Sequence, residues 1–210
     1  MHELNTEFSD PVVINTSPAQ TDTQVVLEHS DNPLRTTTIT RLHSEQSFNT
    51  SNNGTEIMVL EGECSVHRQQ YSSGDYLRCS PGITLSTKTS CALFIKAHQF
   101  LSGDEGNRTI DTNAEHHWLP GPVEGISICP LHVFDSESIM LLRWDSACEF
   151  KPKLDPQGEE LLVISGLLQN RDQLFKPYSW IRNPVEDWRS WHGSTGTLVY
   201  YKSGHFPKQA

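Results

Sequence analysis

The sequence predicts an all-β fold carried twice in succession, and three observations predict it. The apolar segments are short and rich in Val, Ile, Leu and aromatic residues. They are bounded by Gly, Pro, Asn or Ser, as strands joined by turns are. The pattern of the first half then returns in the second at a nearly constant spacing. No stretch sustains a 3.6-residue apolar period for three turns, so helices have little support.

The elements follow from the repeat. Thr38-Ile39-Thr40-Arg41-Leu42 predicts a strand, and Met140-Leu141-Leu142-Arg143-Trp144 repeats it 102 residues later. Glu56-Ile57-Met58-Val59-Leu60-Glu61-Gly62 predicts the next, repeated by Glu160-Leu161-Leu162-Val163-Ile164-Ser165-Gly166 at a spacing of 104. That spacing holds through Tyr71 and Phe175, and again from Tyr76-Leu77-Arg78 to Trp180-Ile181-Arg182. Lys96-Ala97-His98-Gln99-Phe100 closes the first copy as Lys202-Ser203-Gly204-His205-Phe206 closes the second, with His98 and His205 expected at equivalent strand ends. Small changes in spacing read as loop insertions. The polar stretch Ser102-Gly103-Asp104-Glu105-Gly106-Asn107 reads as the connection, which divides the chain into units 1–103 and 104–210.

Composition narrows the function. The 210 residues carry a formal charge of -10 and a pI near 5.4, so a phosphate backbone would be repelled and nucleic acid is not an expected partner. Apolar runs such as Ile57 to Leu60 are far too short to cross a bilayer as helices, and the first residues show no secretory signal. A cytoplasmic location is therefore the expectation. Cys64, Cys79, Cys91, Cys129 and Cys148 are odd in number and contain no C-x-x-C pair, which reads as buried small hydrophobes rather than a zinc knuckle or a disulfide framework. No G-x-S-x-G, P-loop or G-x-G-x-x-G occurs, so nothing supports serine hydrolysis or nucleotide-dependent chemistry.

With the strands placed, a family resemblance emerges. The first copy contributes Glu56 to Gly62 and Gly74-Asp75-Tyr76-Leu77-Arg78-Cys79-Ser80-Pro81-Gly82. The second contributes Trp118-Leu119-Pro120-Gly121-Pro122, Leu131-His132, Gly158-Glu159-Glu160 through Gly166, and Trp180-Ile181-Arg182-Asn183-Pro184. These resemble the cupin-like domain of ChrR-type anti-sigma factors in a duplicated, bicupin form. The resemblance implies two tandem cupin double-stranded β-helix (jelly-roll) barrels. It leaves function open, because cupins host many activities on one scaffold. A sigma factor as partner rests on this resemblance alone. The family's helical zinc-containing module, with its C-x-x-C pair, has no counterpart here.

Cupins usually hold a divalent ion with H-x-H-x3-E and a distant His, and residues two apart on a strand share one face. Aligned on Glu159, the second copy places Lys153, Asp155, Glu159 and Arg189 at those positions; the first places Asn49, Ser51, Thr55 and Leu85 there. A protonated Lys or an Arg offers no lone pair, so both sites read as degenerate. No cofactor is expected; zinc, iron, manganese or nickel is the alternative. In the second copy Lys153 and Arg189 could balance Asp155 and Glu159 as a salt-bridge network, whereas the first has an ordinary polar and apolar filling. Asp155, Glu159 and His192 are weak candidates for a hard-ion site. Trp180, Trp188 and Trp191 surround the same loop, and Lys153, Asp155, Glu159, Trp180, Arg189 and His192 form the candidate pocket. Adjacent His116 and His117 point to opposite sides of an extended chain and make a poor chelate.

The expected function is a non-enzymatic bicupin with a regulatory or small-ligand-sensing role and lapsed metal chemistry. The competing readings are a metal-dependent dioxygenase resembling the acetylacetone-cleaving cupins and a purely structural module. A homodimer formed through exposed strand edges is a further expectation.

Overall fold

The computed structural model describes residues 12–15, 24–29, 36–50, 53–80, 82–152, 158–171, 173–183 and 190–205, the first two segments as backbone. In chain order the first strands are β1 (Val12–Asn15), β2 (Gln24–His29), β3 (Thr36–Leu42), β4 (Ser47–Asn49), β5 (Thr55–Glu61) and β6 (Glu63–Val66). They continue with β7 (Gln69–Ser72), β8 (Asp75–Cys79), β9 (Thr84–Ser86), β10 (Cys91–Ala97) and β11 (Arg108–Asp111). A 3-10 turn, Glu115–His117, precedes β12 (Leu119–Pro120), β13 (Ile126–Phe134), β14 (Glu137–Trp144), β15 (Cys148–Phe150) and β16 (Glu159–Ser165). The last are β17 (Leu168–Asn170), β18 (Gln173–Phe175), β19 (Ser179–Asn183), β20 (Trp191–Gly193) and β21 (Leu198–Ser203). Among the described residues no helix is long and apolar enough to cross a membrane.

Two compact units result, Pro18–Glu115 and Met1–Ser17 with His116–Ala210. The boundary expected at 103/104 thus falls at 115/116, for a physical reason. Asp104 grips Arg78 at 2.6 Å and β11 pairs antiparallel with β8, so this stretch extends the first unit's sheet rather than linking two sheets. At the other end β1 pairs with β19, setting Val12 opposite Arg182. A short strand added to a sheet edge carries no local mark of which edge it joins.

Each unit sets one large antiparallel sheet against one small sheet. In the first, the order β11-β8-β5-β10-β3-β2 faces β4-β9-β6-β7; Ile57, Val59, Leu77, Leu93 and Ile95 meet Cys64, Val66, Tyr71 and Leu85 in one core. In the second, β1-β19-β16-β21-β14-β13-β12 faces β15-β20-β17-β18, and the core is more aromatic. There Trp144 meets Phe150 edge-on with centroids 6.3 Å apart, and Phe175 meets Trp191 at 5.8 Å, geometries that the ring quadrupole favours. Burying each such large side chain contributes about 1.5–3 kcal/mol.

The large sheets are covered on both faces. On the side away from the core, Glu56, Met58, Tyr76, Arg78, Phe94 and Lys96 are all buried, as are Glu160, Leu162, Trp180, Tyr200 and Lys202. Two-sided burial explains why Ile57 to Leu60 reads as an unbroken apolar run instead of an alternating one. The repeat extends to the backbone: His98 N–H donates to the Gly54 carbonyl at 2.9 Å, and Gly204 N–H to the Gly158 carbonyl at 3.2 Å. His98 and Gly204 share a positive φ of 56° and 74°. The counterpart of His98 is therefore Gly204 rather than His205, which corresponds to buried Gln99.

Candidate functional site

Strand alternation decides what enters each barrel mouth. Glu159 opens β16 on the same face as Leu161 and Val163, so its carboxylate points inward, 7 % exposed. Tyr201, opposite Leu161 on β21, donates its hydroxyl to Glu159 Oε2 at 3.0 Å. A carboxylate in an interior this apolar requires such a donor. The small sheet supplies Phe150 and Trp191, paired across β15 and β20, both buried in the core. Gly193 packs on the Trp144 ring at the far end of the barrel, which leaves Phe150 and Trp191 at the Glu159 end.

The first unit fills the same places differently. Thr55 stands where Glu159 does and Ile95 where Tyr201 does; Leu85 replaces Trp191 and Phe48 replaces Phe150. Thr55 and Leu85 are completely buried, and the Thr55 carbonyl accepts a bond from Cys79 Sγ at 3.6 Å. Burial, above all, raises the Cys79 thiol from its ordinary value, so it stays protonated at neutral pH.

The expected site residues are only partly brought together. Thr55, Leu85 and Glu159 do line the interior. Asn49 does not: Phe48 pairs with Leu85 inside, so Asn49 turns outward, where Thr84 Oγ1 donates to its Oδ1 at 2.7 Å. The period of two, shifted by one residue, reverses every side chain on a strand. Ser51, Lys153, Asp155, Trp188 and Arg189 lie outside the described residues. His192 is exposed on the outer face of β20 opposite Glu149, away from Glu159. The Ser190 hydrogen bond, then Lys151 and weakly His192, hold the Glu149 carboxyl below its ordinary value. Trp180 leaves the candidate pocket altogether: it lies on the reverse face, its Nε1 donating to Glu160 Oε1 at 2.7 Å.

Among the described residues no three His, Cys, Asp or Glu side chains converge as a ligand set. Among the described residues the mouth offers one carboxylate, already hydrogen-bonded by a phenol, beside two hydrocarbon-rich rings. These groups do not fit a divalent ion, which needs several lone pairs in fixed geometry.

Strand alternation hid the buried charges of the reverse face. Arg78 binds Asp104 through both terminal nitrogens, donates to the Gly106 carbonyl at 3.1 Å and lies 3.4 Å from the Phe100 ring centroid. Lys202 meets Glu137 at 3.1 Å with both side chains fully buried, and Glu160 takes Trp180 on one oxygen and His205 at 3.3 Å on the other. The registers align Lys96, Glu56 and Arg78 in one row and Lys202, Glu160 and Arg182 in another. The repeat already contained the signal, since all three pairs of residues recur in it. Burial pushes the Cys64 thiol up to about 12 and the Cys129 thiol up to about 11, so both stay protonated at neutral pH. A polar groove of about 500 Å³ lies apart from both mouths, on the small sheet of the first unit beside Glu63, Ser65, Arg68 and Lys88.

Comparison with known proteins bears on this geometry. Residues 106–207 match the ChrR Cupin-like domain. Among solved structures, protein YlbA from E. coli superposes with a TM-score of 0.66 at 11% identity, covering 100% of this chain and 97% of its own. A salicylate 1,2-dioxygenase from Pseudaminobacter salicylatoxidans gives 0.67 at 11%, covering 95% and 85%. The bacterial pirin YhhW from E. coli, solved in complex with nickel(II), gives 0.63 at 11%, covering 97% and 94%. At these identities the likeness concerns the fold, which is the cupin fold. No curated protein matches the chain by sequence.

Proposed function

We propose, from the match of residues 106–207 to the ChrR Cupin-like domain, that the protein is a non-enzymatic cupin whose second mouth binds a small molecule in a regulatory role. One observation carries this reading. Where a cupin metal site needs lone pairs, the described residues of the mouth are Phe150, Trp191 and the Glu159 carboxylate, which takes the Tyr201 hydroxyl. Such a mouth suits an organic ligand, with apolar walls and a few placed polar groups. A sigma factor as the downstream partner remains part of the proposal on family grounds.

Two measurements test it. Protein purified without chelator should contain far less than one equivalent of iron, zinc, manganese or nickel. A thermal-shift screen of metabolites should find a ligand that raises Tm, since a molecule held at one hundred times its Kd adds about 2.7 kcal/mol of stability. About one equivalent of bound metal would overturn the reading. It would favour a metal-dependent dioxygenase, for which the inward Glu159 carboxylate is the one retained ligand type.

A further inference from the structure

Two buried N–H donors at the second mouth have no hydrogen-bond partner: Trp191 Nε1 and Asn170 Nδ2. Trp191 is 0 % and Asn170 8 % exposed. They belong together. Leu168 pairs with Gly193 and Gln169 with His192, so the next step of that register sets Asn170 opposite Trp191. Alternation puts both on the inner face of the small sheet, at the end of the barrel that holds Phe150 and Glu159. Leaving buried donors unmatched is costly, and native structures rarely do so without cause.

The first unit shows that the fold does not require these donors. Cys64 pairs with Tyr71 as Leu168 pairs with Phe175, and Val66 with Gln69 as Asn170 with Gln173, so Val66 is the counterpart of Asn170. Leu85 is the counterpart of Trp191. Both positions are hydrocarbon in one half and nitrogen donors in the other, on the same scaffold. Packing alone explains the first arrangement and leaves the second without a reason.

Resting on the reading that the second mouth takes a small organic ligand, we propose that this ligand is a neutral, planar carbonyl compound whose oxygen accepts from Trp191 Nε1–H and Asn170 Nδ2–H. Two N–H groups on neighbouring strands of one sheet face suit one carbonyl oxygen with its two lone pairs. The rings of Phe150 and Trp191 suit a flat apolar body. A carboxylate ligand is disfavoured, because the apolar surroundings of Phe150 and Trp191 would strip water from its charge.

The test uses the whole chain, labelled with nitrogen-15, with benzamide and benzaldehyde as neutral probes and benzoate as the charged control. The Trp191 indole N–H resonance is identified by its loss in Trp191→Phe. Both neutral probes should move it, and benzoate at the same concentration should not. Asn170→Val, which installs the first unit's residue, should weaken benzamide about three- to tenfold, the loss of one hydrogen bond. Circular dichroism confirms folding of each variant; should Trp191→Phe fail to fold, Asn170→Val together with the indole resonances of the parent protein decides. A resonance that neither neutral probe moves, or that benzoate moves equally, overturns the proposal. Metabolite-induced thermal shifts that persist undiminished in Asn170→Val and Trp191→Phe would overturn it while leaving the ligand-binding reading intact. An absence of any thermal shift in the parent protein would remove both.

Discussion

The two halves share strand order, turn geometry and a row of buried charges, yet their barrel mouths have diverged in opposite chemical directions. The first is closed by Phe48, Thr55, Leu85 and Ile95; the second holds Phe150, Glu159, Trp191 and Tyr201. The reverse faces differ less. Lys96, Glu56 and Arg78 correspond to Lys202, Glu160 and Arg182, although the partners differ: Lys96 donates to the Thr37 hydroxyl at 2.8 Å, and Lys202 meets Glu137. Similarity outside the barrel and divergence inside it teach that the buried charge rows are kept from one half to the other while the residues at the mouths are exchanged.

Substitutions can break or sharpen this contrast. The largest effect should come from the shared feature. Lys202→Met removes the cation from buried Glu137 and should cost about 3–5 kcal/mol; Arg78→Met, which strips Asp104, should cost a similar amount in the other half. Urea denaturation followed by circular dichroism measures both, and a negligible loss in either would end the claim that the charge rows are equivalent. Next comes the divergent feature. Tyr201→Phe leaves Glu159 without its phenol and should cost about 1.5–3 kcal/mol, since the acceptor is a buried carboxylate. Ile95→Val at the matching position should cost only about 0.5–1.5 kcal/mol. Equal losses would show that the two mouths are held together in the same way.

A size exchange inside the barrel should have a slightly smaller effect. Trp144 in the second half corresponds to Leu42 in the first, and Gly193, on which the indole packs, corresponds to Thr87. An added methyl in Gly193→Ala runs into the Trp144 ring and should cost about 1–3 kcal/mol. Combining it with Trp144→Leu should cost less than the sum of the two changes, because the residues are in contact. Strict additivity in the double-mutant cycle would refute the exchange.

The smallest effect concerns alkaline pH. Burial raises Cys64 from 9.0 to about 12, so above pH 9 the unfolded chain releases the proton while the folded chain keeps it. The unfolded state then binds fewer protons, and stability falls with rising pH across the window from 9 to about 12. At pH 10 the loss from this thiol is about 1 kcal/mol. Comparing urea midpoints at pH 8 and 10 should show a shallower fall in Cys64→Ala. Cys129, raised to about 11, should show a window that closes sooner.

Much of the fold was legible along the chain because it depends on local periodicity and on repetition. Glu56 to Gly62 and Glu160 to Gly166 announce the same buried strand twice, and both do form β5 and β16 with the turn glycines after them. The site was less legible. Counting from a distant alignment anchor turns Asn49 inward, whereas one residue of slippage in the loop sends Phe48 inward instead. Nearness in sequence groups Trp180 with Trp191, but consecutive strands and alternate faces send one to Glu160 and the other into the core. Position likewise joins His192 to Glu159, though the two occupy opposite faces.

What the sequence determined by itself is the all-β class, the duplication and the chemical types available at each repeat position, because these are properties of short segments and of their recurrence. Tertiary structure alone decided that 108–111 stay with the first sheet, that 12–15 join the second, and that Tyr201 meets the Glu159 carboxylate from forty-two residues away. Sheet edges and barrel interiors unite residues far apart in the chain, and their inward or outward sense depends on registers that no local pattern records.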